Sequence, residues 1–136
     1  MAYQLRGKEL AFVRAQRVAR LATVGPDAEP HNVPVCTVAI GGKIYFASDA
    51  NARKVRNIRT NPRVALVFDE YSEDWTQLRG LMVVGKATVI EKGVSFHRAR
   101  LALYRKYRQY KKFEPIEEGE SVLIAVSPEK TFAWGL

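Results

Sequence analysis

Ala47-Ser48-Asp49-Ala50-Asn51-Ala52-Arg53-Lys54-Val55-Arg56-Asn57-Ile58-Arg59-Thr60-Asn61-Pro62 is the stretch on which the reading of this chain turns. It leaves an apolar run, Lys43-Ile44-Tyr45-Phe46-Ala47, that reads as a strand. It then enters a short helix, with Asp49 placed to cap it and Pro62 placed to end it. At such a strand–turn–helix, unpaired backbone N–H groups and the positive end of the helix dipole converge on one spot. Arg53 and Lys54 add two cations there, and Arg56 and Arg59 extend the positive field. This combination suits a phosphate group. The plain alternative is a solvated helix carrying surface arginines, since charge runs usually face water.

Working outward, the pattern on both sides is dominated by short strands. Glu9 to Ala19 reads as an amphipathic helix. Arg20-Leu21-Ala22-Thr23-Val24, the turn signal Gly25-Pro26-Asp27 and the Val- and Thr-rich run His31 to Ile40 follow. Gly41-Gly42 then joins that run to the Lys43–Ala47 strand as a hairpin, which predicts a three-strand meander in the first third. Beyond the central helix, Val64 to Phe68 reads as a buried strand and Asp69 to Gln77 as an acidic loop bearing aromatics. Arg79 to Ile90 is a long strand in which Gly85 marks a bulge or a close backbone approach. Val94 to Lys112 predicts another helix, with Phe96, Ala99, Leu103, Tyr107 and Tyr110 as its apolar stripe. The chain closes with Ser121–Val126 and Thr131–Trp134, separated by Ser127-Pro128-Glu129. Close-spaced strands with turn signals favour an antiparallel barrel over a parallel sheet. The expectation is a mainly β fold with flanking helices and six to seven strands.

Bulk properties narrow the classes. The 136 residues suit a single domain, 1–136. No apolar run approaches the roughly 20 residues needed to span a bilayer, and no secretory h-region precedes the first helix. Cys36 is the one cysteine, so no intrachain disulfide forms, and the expected compartment is the cytoplasm. No metal-ligand spacing is present. The net charge of +8 calls for an anionic partner: nucleic acid, a membrane surface or a multiply charged small molecule.

Four ordered pieces resemble the split-barrel superfamily that includes pyridoxamine 5'-phosphate oxidase. They are Leu21-Ala22-Thr23-Val24, then Pro30-His31-Asn32-Val33-Pro34-Val35, then Ile44 to Ala47 leading to Arg53-Lys54 and on through Asn57 to Val64, and last Met82-Val83-Val84-Gly85-Lys86-Ala87. The ending Phe132-Ala133-Trp134-Gly135-Leu136 resembles the superfamily's final strand. Within it, Ala102-Leu103-Tyr104-Arg105 and Asp74-Trp75 are most similar to the small members that use the deazaflavin coenzyme F-420. The resemblance implies a homodimeric split barrel with its cofactor at the subunit seam and a small-molecule substrate. It implies that Arg53 and Lys54 hold the cofactor phosphate and that Val33, Pro34 and Val35 lie along the ring system. It further implies that Ala47 and Ser48 sit by the phosphate or ribityl chain, with Asn51 or backbone amides replacing hydroxyl or basic groups that relatives carry at Ala47 and Ala52. Gly80 stands where FMN-binding relatives often have Gln, which favours the deazaflavin over FMN. The anionic tail of coenzyme F-420 gives the basic excess a use, with Arg79 and Lys86 as further contacts.

In this class the cofactor carries out the redox chemistry and the protein supplies position and electrostatics, so no nucleophile–base pair is required. His31 is a candidate proton donor or substrate contact, against a structural histidine. Cys36 reads as a core thiol. Tyr71 and Trp75 form a candidate aromatic lid over the cofactor or substrate, or else Trp75 packs on the barrel or across a dimer seam. Two rival functions stand beside the oxidoreductase. One is a nucleic-acid-binding module built on the basic helix after Val94. The other is a non-catalytic carrier of a flavin or deazaflavin on the same fold.

Overall fold

Alternate burial runs through the strands and curls them into one sheet with an enclosed inner face. The computed structural model describes residues 3–136. The strands are β1 (Ala19–Val24), β2 (Pro30–Val35), β3 (Val38–Ile40), β4 (Lys43–Asp49), β5 (Arg63–Glu70), β6 (Arg79–Ile90) and β7 (Ser121–Trp134). The helices are α1 (Gly7–Ala15), α2 (Arg53–Thr60), α3 (Val94–Lys106) and α4 (Tyr110–Phe113). The seven strands form one sheet in the order β2-β1-β5-β6-β7-β4-β3, and every pair is antiparallel.

The two edges of that sheet are consecutive in sequence. Only Cys36 and Thr37 separate β2 from β3, and so short a link spans about 10 Å at full stretch. The first and last strands must therefore lie side by side, and the sheet rolls into a split barrel. Leu21, Val35, Phe46, Leu66, Phe68, Leu81, Val83 and Ile124 fill its interior. Phe12 and Val13 of α1 and Val55 and Ile58 of α2 join the same core. α3 packs Phe96, Ala99 and Leu103 outside the barrel against Val38 and Leu123, a second apolar cluster.

Several sequence-based boundaries move. The expected run His31–Ile40 is two strands: β2 pairs with β1 and β3 with β4, at opposite edges of the sheet. No three-strand meander forms, because barrel closure takes precedence over hairpin continuity. The first helix stops at Ala15, and Ala19 already belongs to β1. The helix expected over Val94–Lys112 breaks after Lys106, where Tyr107 adopts an extended backbone. The two expected C-terminal strands are one, with the register against β6 shifting between Val84 and Gly85. A Cβ on Gly85 would fall on the Ser127 carbonyl, so the glycine is the close backbone approach that its place in the strand implied. Asp49 does not cap α2 through its side chain. Ala52 is the N-cap, and its N–H donates to the Asp49 carbonyl at 3.2 Å.

Candidate functional site

The N-terminus of α2 carries an electrostatic conflict. Its N-cap is an alanine with no side-chain acceptor, and no acidic residue occupies the first turn. Arg53 and Lys54 stand instead at the end where the helix dipole disfavours cations. A local rule broken in this way marks a functional site more often than a packing accident. Arg56 folds back and donates to the Asn51 carbonyl at 3.1 Å, which adds a third cation to the turn. Arg53 is held by Glu29 at 2.9 Å, whereas Lys54 has no ion-pair partner among the described residues.

The Arg53–Glu29 pair ties α2 to the start of edge strand β2. On β2, His31, Val33 and Val35 share a face and stand opposite Thr23, Leu21 and Ala19 of β1. Thr23 accepts a hydrogen bond from Asn57 Nδ2 at 3.0 Å, so β1, β2 and α2 are locked at this corner. Asn57 is buried, and its side chain also closes on Gly25. His31 Nδ1 is buried there with no hydrogen-bond partner among the described residues. Such an atom in a folded protein calls for a partner. Pro34 breaks the N–H row of this edge, as an edge strand allows. The uncapped amides, the free ammonium and the orphaned imidazole nitrogen fit a phosphate-bearing ligand laid along β2.

The remaining sequence-derived residues separate. Ala47 faces the second apolar cluster, and Ser48 Oγ donates to the Asp49 carbonyl at 3.0 Å. Both line a trough with Tyr110, Glu114 and Ile116. Asn51 enters through its carbonyl, the acceptor for Arg56, and its side chain is exposed. Arg79 and Lys86 lie seven residues apart on β6, about 23 Å along the strand. Lys86 is 4.0 Å from Glu129, at the α2 C-terminal end, where the Ala87 N–H bonds the Pro62 carbonyl. Arg79 pairs with Glu70 at 2.8 Å and lies over the Phe12 ring, at the α1 end. Its hydrogen bond holds the Glu70 carboxyl below the usual carboxylate range, with Gln16 adding a second. Tyr71 and Trp75 occupy the β5–β6 loop at that same far end, 67% and 73% exposed. Trp75 Nε1 donates to the Tyr71 hydroxyl at 3.4 Å. The Arg53–Glu29 pair and the Arg56–Asn51 contact join the α2 turn to the His31 end of β2; Val35, at the other end of that strand, packs in the barrel core, and Arg79, Lys86, Tyr71 and Trp75 lie elsewhere.

Glu29 and Thr23 escaped the sequence reading, because their contacts with α2 span 24 and 34 residues. Asn57 offered a signal: an amide one turn inside a helix, beside the apolar Ile58, needs a buried partner. Cys36 is half-buried in the β2–β3 link and lies outside any strand. Burial pushes its thiol pKa up, against the fields of Arg17 and Lys106, so a reactive thiolate is disfavoured. No helix among the described residues is long and apolar enough to cross a membrane, and no cluster of potential metal ligands occurs among them.

Comparison with known proteins places this geometry in a family. A curated relative, the 5a,11a-dehydrotetracycline/5a,11a-dehydrooxytetracycline reductase of Streptomyces rimosus, is 31% identical over 95% of this chain and 82% of its own length. A conserved hypothetical protein of Mycobacterium tuberculosis has the same fold with a TM-score of 0.84 and 25% identity, over 98% of this chain and 86% of its own. An F420 reductase superposes with a TM-score of 0.76 at 22% identity, covering 94% and 98% of the two chains. The haem storage protein of Vibrio cholerae does so at 0.79 and 17%, covering 96% and 94%. These last two likenesses concern the fold alone. Residues 5–135 match the family model of pyridoxamine 5'-phosphate oxidase, and the chain belongs to that family.

Proposed function

We propose that this chain is an oxidoreductase that binds the deazaflavin coenzyme F-420 and delivers hydride to a small unsaturated or conjugated organic substrate. The observation that carries the reading is the uncapped, doubly cationic start of α2 beside the orphaned His31 nitrogen. Lys54, Arg53 and the first-turn amides would hold the phosphate, and Val33 to Val35 would carry the ring system. The coenzyme, once bound, supplies the hydride chemistry. The protein's part is to orient the ring system along β2, exclude water from it, and offer His31 as a proton donor or substrate contact. The reductase activity named for the curated relative supports the reaction class.

Gly80 favours the deazaflavin over FMN, the second reading. A Cβ at Gly80 would fall inside the indole of Trp134, so the Gln of FMN-binding relatives has no room here. Arg79, Tyr71 and Trp75 would reach the site only across a subunit seam, and the apolar outer sheet face supports one. Phe132 and Trp134 lie there with ring centroids 5.9 Å apart, Phe132 being 63% exposed. Directly opposite them on β6 are Met82 and Gly80, and Val67 continues the row on β5. Neither apolar cluster includes this face, and a second copy of the chain would cover it.

Parallel fluorescence titrations with coenzyme F-420 and FMN test the cofactor. Lys54→Ala should weaken binding by about 1.5–3 kcal/mol, the worth of one charge-assisted contact. An unchanged dissociation constant overturns the site. Tight binding without turnover of any enone or quinone would favour the carrier reading, and a monomer with full affinity on gel filtration would remove the seam.

A further inference from the structure

The positive charge of this protein is not confined to the α2 site. The 22 Lys and Arg exceed the 14 Asp and Glu by eight. Residues 94–113 hold seven of those cations, from Arg98 to Lys112, and no carboxylate. The rest of the chain is therefore nearly neutral, and five of its cations are ion-paired: Arg20, Arg53, Arg59, Arg79 and Lys86. Among the described residues, none of the seven is ion-paired. Four glutamates follow at positions 114, 117, 118 and 120, and Glu118 meets His97 of α3 at 2.7 Å, so the field open to an anion at this corner is that of the individual cations.

That corner also contains a groove of about 460 Å³, within the range of small-molecule sites. Tyr107, Tyr110 and Phe113 line it from the α3–α4 side, and Arg17, Val18 and Cys36 line it from the barrel side. Tyr107 and Tyr110 meet edge to face at 5.9 Å. Phe113 is 68% exposed, and Val18 is also open to solvent. Cations stand over the aromatic walls: Arg17 lies 4.7 Å and Lys106 5.3 Å from the Tyr107 ring centre, and Lys112 lies 5.5 Å from that of Phe113. Glu114 is the one carboxylate on the rim. It also lines the adjoining trough of Ala47 and Ser48.

We propose that this groove is a second binding site, separate from the α2 terminus, for a planar aromatic anion. Its π-surface would lie against Tyr110 and Phe113, over the buried Tyr107, with its carboxylate or sulfonate at Arg17. Aromatic walls give contact area at low entropic cost, and Arg17 and Lys112 beside them select for negative charge. A duplex nucleic acid would use the charge and leave the groove empty. A neutral apolar ligand would use the groove and leave the charge idle.

Cys36, the single cysteine, lies in the wall of the groove and so reports on its occupancy. The probe is 8-anilinonaphthalene-1-sulfonate, with N-phenyl-1-naphthylamine as its uncharged counterpart. The full chain without cofactor is treated with iodoacetamide, with and without each compound. The sulfonate should slow Cys36 alkylation at least fivefold at saturation and bind at least tenfold more tightly than the amine. Phe113→Ala and Arg17→Gln, both at exposed side chains, should each weaken it more than threefold, while Lys54→Ala leaves it unchanged. Absence of protection, equal affinity for the uncharged compound, or indifference to both groove variants overturns the proposal. Loss of probe binding in Lys54→Ala does so too, because it would merge this groove with the α2 site.

Discussion

The hydroxyl of Tyr107 accepts a hydrogen bond from the Thr37 N–H at 3.1 Å and lies 2.8 Å from the Arg17 carbonyl. Thr37 is the fully buried link between the two edge strands, so one phenol from the end of α3 latches the seam of the barrel. Lys106 doubles the latch, its ammonium donating to the Gln16 and Thr37 carbonyls at 2.7 and 2.8 Å.

Tyr107→Phe keeps the ring and strands the Thr37 N–H in the interior. An unsatisfied buried donor costs about 1–3 kcal/mol. Urea denaturation should show a lowered midpoint by that amount with an unchanged slope, and an unchanged midpoint would mean that the latch bears no strain.

Burial pushes Lys106 down to about 8 from its usual 10.5, with Arg17 acting in the same direction. Between these values the unfolded chain holds a proton that the folded chain has released, so this group's contribution to stability rises with pH across that window. Tyr107, pushed up to about 12 by burial, acts oppositely above pH 10. The stability difference between wild type and Lys106→Met should therefore shift towards the wild type from pH 8 to 10. A flat difference in chemical denaturation would contradict the buried ammonium.

Glu29 competes with any bound phosphate for Arg53, at 2.9 Å on the protein surface. Exposed pairs of this kind are worth about 0.2–1 kcal/mol. Glu29→Gln should thus tighten binding of inorganic phosphate or cofactor by up to about fivefold in titration, whereas Arg53→Ala weakens it. Weaker binding in Glu29→Gln would mean that the carboxylate positions Arg53 and does not restrain it.

Gly85→Ala forces a methyl onto the Ser127 carbonyl at the shift in register between β6 and β7. Both neighbours are backbone, so relief requires the strands to part. Overpacking of this kind costs about 1–3 kcal/mol. Thermal denaturation should show the loss, with accelerated amide exchange confined to the β6–β7 ladder.

How much of this was legible beforehand depended on whether the cause was local. Strand alternation, the Gly41-Gly42 turn and the strand–turn–helix at Ala47 to Asn61 lie in short windows, and they appear in the structure close to where they were expected. Both turn glycines take left-handed conformations, φ 58° and 81°, as the β3–β4 hairpin needs. The division of His31–Ile40 was not legible, because nothing near Cys36 indicates that its two sides belong to opposite edges of a barrel.

For the site, the sequence alone placed Arg53 and Lys54 at a helix start and gave the chain its charge and its family resemblance. Tertiary structure decided the rest. It brought Glu29 and His31 beside that helix and sent Arg79 and Trp75 to the far end of the sheet. It also set Arg17 and Cys36 against Tyr107 across 90 and 71 residues of chain. Local propensity and period are properties of a few consecutive residues, but rolling a sheet closed is not. Which side chains share a pocket depends on that closure.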